Sequence, residues 1–295
     1  MIRYFQVAQL CFSLDIPDGF FAGDGLSNYL PFECEAASGA LLFSLEARRA
    51  ESALSGEGKL VYDACENDFP RLTFYESAQA FRVDMAPLPE LPYCASLIAD
   101  KSFRSAKLSI WGSPKFSIDN AMMLLYAFAS APYAALEMHA SVSVKDSKAY
   151  LFLGKSGTGK STHSRLWREN IPGVSLLNDD NPIVRIIEGN VLCFGSPWSG
   201  KTPCYKAENY PVGAIVRIER SSVNTLKPQA PVRAYASIFS SVSAFRYIKG
   251  LSDNIHATVS RVVESVPCYV MECRPDAEAA LVCYNKTIKY WWGVT

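Results

Sequence analysis

The residues best suited to chemistry lie in a glycine-rich stretch at 154–161, Gly-Lys-Ser-Gly-Thr-Gly-Lys-Ser. It fits the pattern G-x-x-x-x-G-K-[ST], in which glycines let backbone N–H groups curl around a phosphate. Lys160 would bring a positive charge to the β- and γ-phosphates, and Ser161 a hydroxyl to Mg²⁺. We therefore expect a site for ATP and Mg²⁺ formed by Gly154, Ser156, Gly157, Thr158, Gly159, Lys160, Ser161 and Thr162.

A second candidate group is the carboxylate pair in Leu-Leu-Asn-Asp-Asp-Asn at 176–181. A short apolar strand that ends in Asp is where a protein with this glycine-rich loop places its second Mg²⁺ contact. One of the two, Asp179 or Asp180, can face the metal together with Ser161, while the other can accept a proton from an attacking hydroxyl. The alternative is a solvated turn, which Pro182 would favour.

The third candidate is the loop Gly-Ser-Pro-Trp-Ser-Gly-Lys at 195–201. Its Gly and Pro residues favour a rigid loop, Trp198 offers a large flat side chain, and Lys201 ends it with a positive charge. Lys201 is the candidate that would stabilise negative charge on a phosphoryl group during transfer. The alternative is a plain surface loop with Trp198 in the core and Lys201 in solvent.

The surrounding pattern predicts the elements that position these groups. Apolar residues 149–153 predict a strand before the glycine-rich stretch, and 160–169 predict a helix after it. Residues 135–144 alternate, which predicts one strand with Glu137, His139, Ser141 and Ser143 on a polar face. Residues 118–131 have helical periodicity with Ser117 as N-cap, and 182–195 predict a hairpin around 188–190.

The first third of the chain has a different character. Short aromatic or β-branched segments separated by turn residues predict antiparallel strands at 40–49, 58–64, 71–76, 80–85 and 106–111. We therefore expect a β-rich region at 1–115 and an α/β (α+β) domain with a mixed sheet at 116–295.

Taken together, His139, GKSGTGKST, the Asn-Asp-Asp run and GSPW-x-GK resemble the catalytic domain of HPr kinase/phosphorylase and its smaller relatives. These proteins share a fold with phosphoenolpyruvate carboxykinases. The resemblance implies that Lys160 and Ser161 bind nucleotide and Mg²⁺, that Asp180 accepts the proton of a serine hydroxyl, and that His139 assists in the active site.

The chain departs from the kinase/phosphorylase pattern after the Asp pair, where it has GSPWSGK and no Glu-Ile-Arg-Gly motif. Smaller relatives with a GTPW-like loop resemble serine kinases that act on peptides or free serine. The expected function is transfer of the ATP γ-phosphoryl group to a hydroxyl, in the serine of a protein, peptide or free amino acid. Two alternatives stay open: a nucleotide-binding regulator or inactive kinase, and a carboxykinase-like lyase.

The composition of the chain argues against several other classes of protein. The 29 Lys and Arg balance the 29 Asp and Glu of this 295-residue chain, which argues against a general nucleic-acid binder. The longest apolar stretch, 121–131, is far shorter than the roughly 20 residues that span a bilayer, so no membrane partner is expected. Nine cysteines without C-x-x-C spacing suit a reducing cytoplasm. The oligomeric state is open.

Overall fold

The computed structural model describes the chain except residues 22, 24, 37–38, 53–57, 66–68, 201, 244–246 and 290–295. It has a mixed α/β architecture with two compact units, residues 1–130 and 131–295. Each unit has its own mixed sheet, and the first unit is rich in strands.

The first unit contains one nine-stranded sheet in the order β3-β1-β2-β4-β9-β8-β7-β6-β5. The pairs β2/β4 and β4/β9 are parallel, and the other neighbours are antiparallel. The strands are β1 Ile2–Val7, β2 Leu10–Asp15, β3 Glu33–Cys34, β4 Ser44–Arg49, β5 Lys59–Ala64, β6 Arg71–Glu76, β7 Ala80–Ala86, β8 Ala95–Asp100 and β9 Ser105–Ile110. The five predicted strands are confirmed, although the first begins at Ser44 and its pairing is parallel.

The helix of this unit is α1, Pro114–Ala129. The predicted N-cap was wrong: Ser113 occupies that position, because Pro114 has the fixed φ that suits the first helical residue. Ser117 lies inside the helix, where its hydroxyl donates to the Ser113 carbonyl. Tyr126 packs against Phe12 of the first sheet. The helix therefore belongs with residues 1–130, whereas the sequence placed it after a boundary at 115/116.

The second unit carries the candidate site. Its sheet has the order β10-β14-β15-β16-β12-β11-β13, with β18 beside β16 and β17 beside β18. The strands are β10 Ala135–Glu137, β11 Ala140–Lys145, β12 Lys148–Leu153, β13 Ser175–Asp180, β14 Ile183–Ile187, β15 Asn190–Phe194, β16 Asn209–Arg220, β17 Thr225–Pro228 and β18 Cys268–Cys273. The helices are α2 Lys160–Asn170, α3 Pro231–Phe239, α4 Lys249–Ser265 and α5 Ala277–Lys289. Two short 3-10 helices, Ser27–Phe32 in the first unit and Ala131–Tyr133 in the second, complete the elements.

The predicted single strand at 135–144 was wrong, because it is two strands. β10 pairs with β14, whereas β11 pairs with β12 and β13. Between them, Met138 forms an isolated bridge with Val242, and the His139 amide donates to the Ser241 carbonyl at 2.6 Å. These contacts fix the backbone on both sides of the His139 side chain.

Helix α2 packs on the sheet through Trp167, which is fully buried against Tyr150 and Phe152 of β12. Aromatic burial of this extent is a large stabilising contribution, so the helix has a fixed position over the strand that precedes it. Among the helices that the structure describes, none is long and apolar enough to cross a membrane.

Candidate functional site

The candidate residues meet at one edge of the second sheet. β12, β16 and β18 are parallel, and β13 is parallel to β12 because both are antiparallel to β11. The carboxyl ends of these four strands therefore lie at the same edge, with the start of β11. This edge is where open α/β sheets bind ligands.

The glycine-rich loop joins β12 to α2 at this edge. Gly154, Gly157 and Gly159 have φ values of +150°, +75° and +109°, which favour glycine. A Cβ on Gly154 would lie 2.5 Å from the Thr158 Oγ1 atom, so a side chain there would clash. Thr158 fixes the loop in turn, because its hydroxyl donates to the Lys155 carbonyl at 2.8 Å.

Lys160 is the first residue of α2 and is only 8% exposed. Its Nζ atom donates to the Gly154 carbonyl at 3.1 Å and lies 2.9 Å from the His139 Nε2 atom. Burial lowers the pKa of Lys160, and the nearby charges of Asp180 and Asp179 oppose that shift. The lysine is thus held at the site by acceptors that phosphate oxygens can replace. Ser161, the next residue, is exposed.

His139 connects Lys160 to Asp180. The His139 Nδ1 atom lies 3.1 Å from the Asp180 Oδ1 atom, while its Nε2 atom faces the Lys160 ammonium. Because the ammonium group is only a donor, Nε2 accepts and the ring proton is on Nδ1, directed at the carboxylate. Both His139 and Asp180 are about one-third exposed, so both side chains are accessible from solvent.

Asp180 has an uncommon backbone conformation, with φ at +143°. Such conformations cost free energy and persist where surrounding contacts impose them. Asp180 pairs with Ala140 on one side and forms an isolated bridge with Ser199 on the other. A Cβ on Gly200 would lie 3.2 Å from the Asp180 Cβ atom, so the loop passes very close.

Asp179 is the other carboxylate of the pair. It is 5% exposed, and its carboxylate has no hydrogen-bond partner among the described residues. The charge of Asp179 acts on the Lys160 ammonium, so the carboxylate lies close to the phosphate loop, where a divalent cation would bind. The described residues contain no group of three or more His, Cys, Asp or Glu arranged for a metal. Mg²⁺ takes most of its ligands from phosphates and water, so one carboxylate, such as Asp179, and one hydroxyl, such as Ser161, would be enough protein ligands.

The loop at 195–199 is held by polar contacts that the sequence analysis missed. The fully buried Asn178 amide donates to the Ser196 hydroxyl at 3.2 Å and to the Trp198 carbonyl at 3.2 Å. Trp198 is 4% exposed, so its ring is part of the core and is not presented to a substrate. Lys201 lies outside the described residues, and its expected role stays a prediction.

Glu137 is a further titratable group near the site. It is 1% exposed, and neither carboxylate oxygen has a hydrogen-bond partner of good geometry. Burial raises the pKa of Glu137 to about 8, the Ser243 side chain opposes that rise, and the charge of Asp180 adds to it. The alternating pattern of residues 135–144 put Glu137 on the same polar face as His139. The pattern did not show that this face is buried at Glu137.

Because the pKa of Glu137 is raised in the folded protein, we expect the free energy of unfolding to depend on pH. The unfolded carboxyl ionises near 4.5, whereas the folded one stays protonated to about pH 8, so folding loses stability as pH rises between these values. We expect Glu137→Gln to gain about 4 kcal/mol relative to the wild type between pH 5 and pH 8, measured by urea unfolding. Glu264→Gln, at an exposed position on α4, is the control. An equal pH dependence in the wild type and Glu137→Gln would contradict a buried neutral carboxyl.

No protein family and no curated protein matches the chain in sequence. Among solved structures, the chain is similar to the Hpr(Ser) kinase/phosphatase from Coxiella burnetii. The match covers 52% of this chain and 98% of that protein, at 12% identity and a TM-score of 0.33. A likeness this distant says nothing about the reaction, which has to be inferred from the side chains of the site.

Proposed function

We propose that the protein is a phosphotransferase that moves the γ-phosphoryl group of ATP to a hydroxyl, that of serine in a protein, a peptide or the free amino acid. The observation that carries the proposal is the chain of contacts from Lys160 through His139 to Asp180 beside an intact glycine-rich phosphate loop. In it, the Lys160 ammonium contacts one nitrogen of the His139 imidazole ring, and the accessible Asp180 carboxylate contacts the other.

Each residue has a role that follows from its position. Lys160 exchanges its contact with His139 for phosphate oxygens, and the loop N–H groups hold the rest of the triphosphate. Ser161 and Asp179 hold Mg²⁺, which neutralises charge on the phosphate oxygens when bound. Asp180 takes the proton of the acceptor hydroxyl, and His139 fixes the carboxylate through Nδ1–H.

A nucleotide-binding regulator is the second candidate. The specific observation in its favour is that the chain has GSPWSGK at 195–201 where the kinases it resembles have a Glu-Ile-Arg-Gly motif, so it lacks the further metal carboxylate of that motif. Such a protein would bind Mg-ATP at the same loop without transferring phosphate.

An assay with γ-labelled ATP and Mg²⁺ separates these candidates. Free serine, serine-containing peptides and oxaloacetate are offered as acceptors, and label transfer is measured alongside a thermal shift with Mg-ATP. The kinase proposal expects a stabilised protein and label on a hydroxyl. A thermal shift without transfer to any acceptor would favour the regulator. Conversion of oxaloacetate to labelled phosphoenolpyruvate with release of CO₂ would identify a carboxykinase-like lyase.

We also propose that the protein works in the cytoplasm on a small-molecule or polypeptide acceptor. All nine cysteines are free thiols, and five of them are buried, which supports a reducing cytoplasm. The balanced charge supports a small-molecule or polypeptide acceptor over a nucleic acid or a membrane surface.

A further inference from the structure

Strand β11 places a buried hydroxyl beside the Asp179 carboxylate. Ser141 of β11 is the register partner of Asp179 in the antiparallel pair of β11 and β13. Directly opposite residues of such a pair lie on the same face of the sheet, with Cβ atoms about 4.5–5.5 Å apart. Ser141 is 1% exposed and Asp179 is 5% exposed. The hydroxyl and the carboxylate are therefore neighbours inside the protein.

The face that they share is the one that helix α2 covers. Ser143, two residues after Ser141 on the same face of β11, forms a hydrogen bond of 2.8 Å with the Ser164 hydroxyl of α2. Phe152, the register partner of Ser141 in β12, packs against Trp167 of the same helix. The Ser141 side chain thus lies in the layer between the sheet and α2.

The position of Ser141 along the helix follows from the contact between Ser143 and Ser164. Strand β11 and helix α2 both begin at the edge of the sheet that carries the phosphate loop. Ser141 lies about 6.6 Å nearer this edge than Ser143, and Lys160 lies about 6 Å nearer it than Ser164. Ser141 therefore lies at the level of Lys160, under the first turn of α2.

The Ser141 hydroxyl has no hydrogen-bond partner among the described residues. The nearby Ser143 hydroxyl, which is equally buried, has one. Nearly every buried polar group in a protein is paired, so an unpaired hydroxyl needs an explanation. Of the two register partners of Ser141, Phe152 has no acceptor in its side chain, whereas Asp179 has a carboxylate. The unpaired hydroxyl therefore has one acceptor side chain directly across the strand.

We propose that Ser141 is a positioning residue for Asp179, and that its hydroxyl donates a hydrogen bond to the Asp179 carboxylate when that carboxylate binds Mg²⁺. The inference rests on the proposed function and deepens it, because it adds to the metal site a residue that does not touch the metal. Carboxylates that bind metals are themselves hydrogen-bonded, and loss of such a partner typically lowers metal affinity about 10–100-fold. Without the metal the hydroxyl stays unpaired, which costs stability.

The test measures the affinity for ATP by isothermal titration calorimetry, with Mg²⁺ and with EDTA, and the urea midpoint of unfolding without ligand. Ser141→Ala removes the unpaired hydroxyl. Ser143→Ala is the matched control, because it removes a hydroxyl from the same buried face that is paired with Ser164. Binding of ATP in EDTA shows that a variant is folded and keeps its phosphate loop.

We expect Ser141→Ala to reduce the gain in ATP affinity that Mg²⁺ gives by a factor of about ten, with the affinity in EDTA unchanged. Its urea midpoint should rise, because the variant no longer buries an unpaired hydroxyl. Ser143→Ala should show the opposite pattern, an unchanged gain and a lower midpoint, because Ser164 loses its partner.

Three results would overturn the inference while leaving Mg-ATP binding, and with it the proposed function, intact. The first is a full Mg²⁺-dependent gain in Ser141→Ala, and the second is an equal loss of that gain in Ser143→Ala. The third is a lower urea midpoint for Ser141→Ala, which would mean that the hydroxyl is already paired without the metal. A wild type that binds ATP neither with Mg²⁺ nor in EDTA would refute the proposed function as well.

Discussion

Lys160→Met is expected to lower the rate of phosphoryl transfer by about 10²–10³-fold, the effect of losing one electrostatic contact to the transition state. The Lys160 ammonium is buried at the start of α2, within reach of both the loop carbonyls and His139. Methionine keeps the length and apolar stem of the side chain, so the change removes the charge with little change in packing. The measurement is the rate of label transfer from γ-labelled ATP at saturating acceptor.

Lys155→Met is the matched control. Lys155 lies in the same loop, but its side chain is exposed, and its contribution to the site is its carbonyl group, which the substitution keeps. We expect this variant to transfer phosphate within about threefold of the wild type, since exposed charges are screened. Equal losses in both variants would indicate a general effect of positive charge, and an unaffected Lys160→Met would exclude the phosphate loop from catalysis.

The glycine-rich loop and the elements next to it could be predicted from the sequence, because their conformation depends on residues that are close together in the chain. The glycine pattern at 154–161 requires positive φ values that few other residues adopt, and the structure has them at Gly154, Gly157 and Gly159. The strand before the loop and the helix after it follow from continuous and periodic apolar residues, and both are confirmed. The hairpin of β14 and β15 is confirmed for the same reason.

Features of the site that depend on contacts between distant residues could not be predicted from the sequence. The break at His139 depends on the bridge from Met138 to Val242, more than 100 residues further along the chain. The positive φ of Asp180 depends on contacts with Ala140 and Ser199, which no pattern near Asp180 encodes. An alternating segment predicts two faces, but it does not show whether the polar face meets water or protein, so the burial of Glu137 was missed.

The second large effect on the rate of phosphoryl transfer is expected from substitution of Asp180, the second carboxylate of the Asp pair. Asp180→Asn should reduce the rate of phosphoryl transfer by about 10²–10⁴-fold, because an amide cannot accept the hydroxyl proton. Asn still offers His139 Nδ1–H an acceptor oxygen, and it has nearly the same shape as Asp, so the contacts that impose the positive φ should survive. Mg-ATP affinity, measured by calorimetry, should change little, since the phosphate loop supplies those contacts.

Asp179→Asn is the matched variant at the neighbouring position, and it should act through the metal. Its carboxylate lies close enough to the phosphate loop to act on the Lys160 ammonium, so neutralising it removes a negative charge that would help to bind Mg²⁺. We expect the Mg²⁺ concentration for half-maximal rate to rise at least about tenfold, whereas Asp180→Asn should leave it unchanged. If both variants shift the Mg²⁺ dependence equally and lose the same rate, both carboxylates bind the metal, and the proton must leave the acceptor hydroxyl by another group, for which His139 is the nearest candidate.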